Sequence, residues 1–174
     1  MKGLSLQEWW ATTDRADWML WFMGCGKFEK ATYVRIAIGL AESVLHLVRD
    51  EDRPVAEAAI QAGKDWLANP TEKNRQKARL AADDAYATAR AADDAYAAAA
   101  YTADSAAAVR AVAAYAVYAA DSAESAAYAA ARAAYSADDD PARRRQQADI
   151  VRDIVGYDEI LKKLTTEETN GKKN

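Results

Sequence analysis

Ala81-Ala82-Asp83-Asp84-Ala85-Tyr86-Ala87 is repeated letter for letter ten residues later, from Ala91 to Ala97. The tract it opens runs to Tyr135, mostly in Ala, Tyr and Asp, without a Gly or a Pro. Alanine is the strongest helix former because it loses no side-chain rotamer entropy on ordering. The tract therefore reads as helix throughout, and it carries few side chains capable of chemistry.

No Gly or Pro occurs between Thr71 and Asp140. One straight helix of that length would span about 100 Å at 1.5 Å per residue. The chain also holds Trp-rich amphipathic segments that need packing partners, so the tract is expected to break at caps. Thr102-Ala103-Asp104-Ser105 and Asp121-Ser122-Ala123-Glu124 offer favoured N-cap residues. Three helices are expected across it. Arg79 and Arg90, like Asp83 and Asp94, fall eleven residues apart, whereas the verbatim copies fall ten apart. Ten residues on one helix turn Tyr96 away from Tyr86 by roughly 80°. The two spacings conflict, so the tract is biased composition with partial periodicity and not a solenoid.

On the N-terminal side, Ser5-Leu6-Gln7-Glu8 has the spacing of a capping box and opens a short helix bearing Trp9 and Trp10. A second helix is expected from Asp14 to Met23, with Trp18, Trp21 and Phe22 at i, i+3 and i+4 as its apolar stripe. Gly24-Cys25-Gly26 is expected to end it. A third, from Phe28 to Arg49, has the broadest apolar face (Val34, Ile36, Ile38, Leu40, Val44, Leu45, Leu47) and should be the most buried. Pro54 restarts the chain at a first helical position, and the fourth helix runs to Ala68, burying Ile60 and Trp66. On the C-terminal side Asp140-Pro141 opens a helix with Ile150, Val151, Ile154 and Val155 on its core face. Gly156 is expected to close it. Leu161 and Leu164 allow one short last turn, and residues 165–174 read as a disordered polar tail. The expected architecture is a single all-α domain over residues 1–164, a compact array of about seven helices with an Ala-rich, closely packed C-terminal half.

The 174 residues are 51% hydrophobic and 29% charged, with a formal net charge of -4. Mean hydropathy is only -0.38 because so much of the apolar content is alanine. An acidic chain lacks the excess of Lys and Arg that displaces counterions from nucleic acid, so no direct nucleic-acid binding is expected. One cysteine, Cys25, excludes an intrachain disulfide. No basic start followed by an apolar run suggests a signal peptide, and no membrane segment is expected. The composition fits a cytoplasmic protein.

Candidate sites are few. Asp83, Asp84, Asp93 and Asp94 could suggest a metal site, but neighbouring residues on a helix point about 100° apart and do not converge on one ion. Together with Tyr86 and Tyr96 they are candidates for a partner-binding face, since tyrosine gives large contact area at low entropic cost. Arg143, Arg144 and Arg145 are candidates for contact with an anion, although beside Asp138, Asp139 and Asp140 local pairing or solvation is the preferred reading. His46, the one histidine, lies between Leu45 and Leu47 and is expected to be half-buried. No phosphate loop, nucleophile elbow or HExxH occurs. No catalytic residue, cofactor or metal is expected.

The order of features resembles one family. Asp17-Trp18-Met19-Leu20-Trp21 is followed by an apolar helix, by Asp52-Arg53-Pro54 with Ala58-Ala59-Ile60 and Trp66, and by an Ala-rich array. Asp139-Asp140-Pro141 and Arg145-Gln146-Gln147-Ala148-Asp149-Ile150-Val151 close the pattern. Over about Thr13 to Val155 this is similar to the all-helical Imm-5-like immunity proteins, especially their alanine-rich phage and bacterial relatives. Where family members often carry histidines, this chain has tyrosines such as Tyr115 and Tyr118. The resemblance implies a non-enzymatic protein that neutralises a protein partner, as an immunity protein or antitoxin does. The alternative is a phage anti-defence factor, either an inhibitor of a bacterial immune nuclease of the anti-CRISPR type or a sponge for a signalling nucleotide.

Overall fold

The computed structural model describes residues 3–25, 28–96 and 141–171. Seven α-helices and one 3₁₀ turn make up the regular structure of those residues. The helices are α1 (Leu6–Thr12), α2 (Ala16–Cys25), α3 (Lys30–Val44), α4 (Arg53–Ala68), α5 (Glu72–Tyr96), α6 (Pro141–Ile154) and α7 (Tyr157–Gly171), with the 3₁₀ turn at Leu45–Leu47. The all-α class read from the sequence is the class observed. The breaks expected at 102–105 and 121–124 lie outside the described residues.

α1 starts where its capping box requires. The Glu8 amide donates to Ser5 Oγ at 3.2 Å, and the Ser5 amide donates to the Glu8 carboxylate at 2.8 Å. Each side chain thereby satisfies a backbone donor that the first turn leaves open. α3 is the central element. Tyr33, Val34, Ile36, Ala37, Leu40, Ala41 and Val44 are all buried on it, and it packs against both α4 and α6. A Cβ added at Gly39 would stand 2.8 Å from Ile150 Cγ2 on α6, so glycine here permits close approach of the two helices. The Tyr33 hydroxyl donates to the Met23 carbonyl at 2.9 Å, tying α3 to the end of α2.

The α-helical part of α3 ends earlier than Arg49. The 3₁₀ turn leaves His46 exposed, not half-buried. The turn is then fixed by charge: Arg49 grips the buried Asp52 through Nε at 2.8 Å, and Arg53 donates to the Val48 carbonyl at 3.1 Å.

α4 and α5 meet along small residues. Ala56, Ala59 and Ala62 on one helix and Ala78, Ala82 and Ala85 on the other are buried. Small side chains let the axes approach toward the low end of the usual 8–10 Å range, which is how the alanine bias of the tract is used where it is described. α5 is about 37 Å long at 1.5 Å per residue. Trp66 is only half-buried, with the Lys30 ammonium 4.9 Å from its ring. α7 is longer than one turn and extends to Gly171, over residues 165–171 that the sequence reading assigns to a tail. It carries Ile160 into the core and sets the Lys163 ammonium 5.7 Å from the Phe28 ring. Among the described residues no helix is long and apolar enough to cross a membrane.

Candidate functional site

The decisive feature is α2. Its sequence, Ala16-Asp17-Trp18-Met19-Leu20-Trp21-Phe22-Met23-Gly24-Cys25, is apolar nearly all the way round. Two stripes at helical spacing compete for the core: Trp18, Trp21 and Phe22, or Ala16, Met19, Leu20 and Met23. The second is buried, with Met19, Leu20 and Met23 fully so, while Trp18 is 53% and Trp21 72% exposed. The stripe expected to face the core therefore largely faces solvent. The physical reason is fit. Ala16, Met19 and Met23 lie on the buried side of α2, which packs against α6, and flexible thioethers fill irregular core gaps that rigid indoles cannot, while Trp18 and Trp21 are left as neighbours across one helical turn.

That face is held in place from below. Trp10 is buried, Trp9 stacks edge-on against Phe22 at 5.6 Å between centroids, and Phe22 lies one turn from Trp18. Arg15 lies over the Trp18 ring, its guanidinium carbon 5.0 Å from the centroid. The same guanidinium is gripped in a fork by Asp17, through Nε at 2.8 Å and a second nitrogen at 2.7 Å. A bidentate pair of this sort fixes orientation as well as charge.

Beside it, an open groove of about 640 Å³ runs along the outer face of α6, lined by Asp14, Arg145, Gln146, Asp149, Ile150 and Asp153. Asp14 sits 3.4 Å from Arg144, and Asp149 sits 2.6 Å from Arg152.

The candidate residues from the sequence fare unevenly. Asp83 and Asp84 are exposed on α5. Tyr86, Asp93, Asp94 and Tyr96 fall on α5 beyond the side chains the structure describes. Arg144 and Arg145 are each set among carboxylates. Arg144 turns to Asp14, and Arg145 lies in a groove with three carboxylates, so the electrostatics there do not favour an anion. Among the described residues no group of His, Cys, Asp and Glu could hold a metal. The Trp18–Trp21 face was missed as a site because tryptophan in an apolar stripe reads as core. The signal that could have found it is the apolar character of both sides of α2, since one helix cannot bury two opposite faces against one core.

No family model, no curated protein and no solved structure matches the chain.

Proposed function

We propose that this chain is a non-enzymatic binding protein that neutralises a protein partner, in the manner of an immunity protein or antitoxin, within the bacterial cytoplasm. The observation that carries the reading is the pair of exposed tryptophans on α2, backed by Phe22 and Trp9 and flanked by the clamped Arg15. Tryptophan and arginine dominate the residues that supply most of the energy at protein interfaces. A side chain already fixed by its neighbours loses little entropy on binding. Size decides how the patch can act. Two indoles bury about 150–250 Å² each, less than the roughly 800 Å² per partner of a standard interface. The pair is therefore the centre of a larger contact, with α1, α2 and α6 supplying the rim.

The resemblance to Imm-5-like immunity proteins supports the same reading. A phage-encoded inhibitor of an immune nuclease would use the surface identically, because it too must occupy a protein. The nucleotide-sponge alternative has weaker support, since Arg144 is paired with Asp14 and Arg145 lies beside three carboxylates. Affinity capture from host lysate tests the proposal. The wild-type chain should enrich a defined protein that the Trp18→Ala/Trp21→Ala variant loses. Failure of the wild-type chain to enrich any protein over a blank matrix would overturn it.

A further inference from the structure

We infer that the Trp18–Trp21 face and the groove along α6 form one continuous docking surface for a cationic, Lys- or Arg-bearing segment of the partner protein. This rests on the protein-binding reading above and adds the chemistry of what is bound. Continuity is local. Asp14 lines the groove, and the next residue, Arg15, lies over Trp18.

The sign of the surface follows from which member of each ion pair faces water. Asp14 is 42% exposed against 26% for Arg144. Asp149 is 58% exposed against 19% for Arg152. In both pairs the cation is the more covered partner and the carboxylate is turned outward, whereas beside the tryptophans Arg15 is 25% exposed against 16% for Asp17, so the negative face is that of the groove. Asp153 adds a third exposed carboxylate to the groove, and Arg145 is the one cation among its described lining residues. The groove thus shows solvent a negative face, with Ile150 and Ala142 as apolar floor. Long basic side chains suit both parts of this surface. Their aliphatic stems cover apolar area, the exposed indoles included, while their heads reach the carboxylates of the groove; the Trp18 face under Arg15 is already taken. An anionic lipid surface or a nucleic acid would meet the wrong sign.

Fluorescence anisotropy with three labelled 18-residue peptides tests the inference on the full chain. One is an amphipathic Leu/Lys helix, the second its Leu/Glu counterpart, and the third a scrambled Leu/Lys sequence. The Leu/Lys helix should bind, and the other two should bind at least tenfold more weakly. Asp153→Lys should weaken the Leu/Lys helix about fivefold, and Trp18→Ala/Trp21→Ala tenfold or more, with unchanged far-UV helicity. Trp18→Phe/Trp21→Phe should recover part of the loss. Equal binding of the Lys and Glu helices, equal binding of the scrambled peptide, no binding at all, or indifference to Asp153→Lys would each overturn the inference. Its failure is distinct from failure of the function proposed above. A partner captured equally by wild type and Asp153→Lys removes the cationic assignment alone, whereas absence of any captured protein removes the function.

Discussion

Arg152 Nε on α6 donates a hydrogen bond of 2.8 Å to the carbonyl of Trp10 at the end of α1, 142 residues away. A second guanidinium nitrogen donates to the Thr13 carbonyl, and a third holds Asp149 at 2.6 Å. One side chain thereby caps the open carbonyls of α1 and fixes the approach to α2, where the exposed tryptophans stand. Arg152→Ala should destabilise the fold by roughly 2–4 kcal/mol, because part-buried carbonyls lose charged donors. Arg152→Lys should recover less than half, since an ammonium cannot reproduce the fork. Urea unfolding followed by circular dichroism measures both.

Gly39 and Gly63 lie in helix interiors, yet replacing them should act oppositely. A Cβ at Gly39 would press on Ile150 Cγ2, which is bonded to a stiff branch point, at 2.8 Å. A Cβ at Gly63 would meet only the tip of Ile38, at 3.3 Å. Alanine gains about 1 kcal/mol of helix propensity over glycine, and overpacking costs about 1–3 kcal/mol. Gly39→Ala should therefore be net destabilising, and Gly63→Ala neutral to slightly stabilising. A double cycle with Ile150→Ala should reduce the cost at Gly39, as expected for residues in contact.

Gln147 is buried on α6, and its Oε1 finds no hydrogen-bond donor among the described residues. A buried acceptor without a donor costs about 1–3 kcal/mol. Gln147→Met keeps the length and removes the acceptor. It should raise stability by about 1 kcal/mol in the same unfolding experiment.

Hydrogen bonds from the Ser5 backbone and then its hydroxyl lower the Glu8 pKa below its ordinary 4.5. A carboxyl whose folded pKa is depressed binds fewer protons folded than unfolded. It contributes stability that is fully present above 4.5 and is lost as pH falls through the depressed value. In carbon-detected NMR titration Glu8 should titrate below the unperturbed glutamates, and Ser5→Ala should return it toward 4.5. Asp65 and Glu72 should behave alike, held down chiefly by Lys77 and Arg75 respectively.

What the sequence disclosed and what it concealed divide along the range of the interactions. Ser5 and Glu8 are three residues apart, so the start of α1 was readable from local spacing. The alanine run was readable as helix as far as Tyr96, where its described part ends, and Pro54 and Pro141 were readable as helix starts, for the same reason. α2 was not readable in its orientation. Both of its faces are apolar, and only packing in the folded chain, with α6 more than a hundred residues on and Tyr33 of α3 holding the Met23 carbonyl, sets Met19 and Met23 inward and Trp21 outward. The Arg143–Arg145 trio, and the preference of its members for nearby carboxylates, could be seen in the sequence, but the particular partner could not. Arg144 finds Asp14 only once the chain is folded. His46 shows the same limit: apolar neighbours suggested burial, and a 3₁₀ turn placed it outside.

Trp18 and Trp21 are proposed as the centre of a protein-binding surface. Hydroxyl-radical footprinting of the chain, free and in complex with its captured partner, tests it most directly. Both indoles should be oxidised readily in the free protein and protected at least severalfold in the complex, while exposed Leu80 on α5 is oxidised equally in both. Equal oxidation of Trp18 and Trp21 with and without the partner would contradict the account.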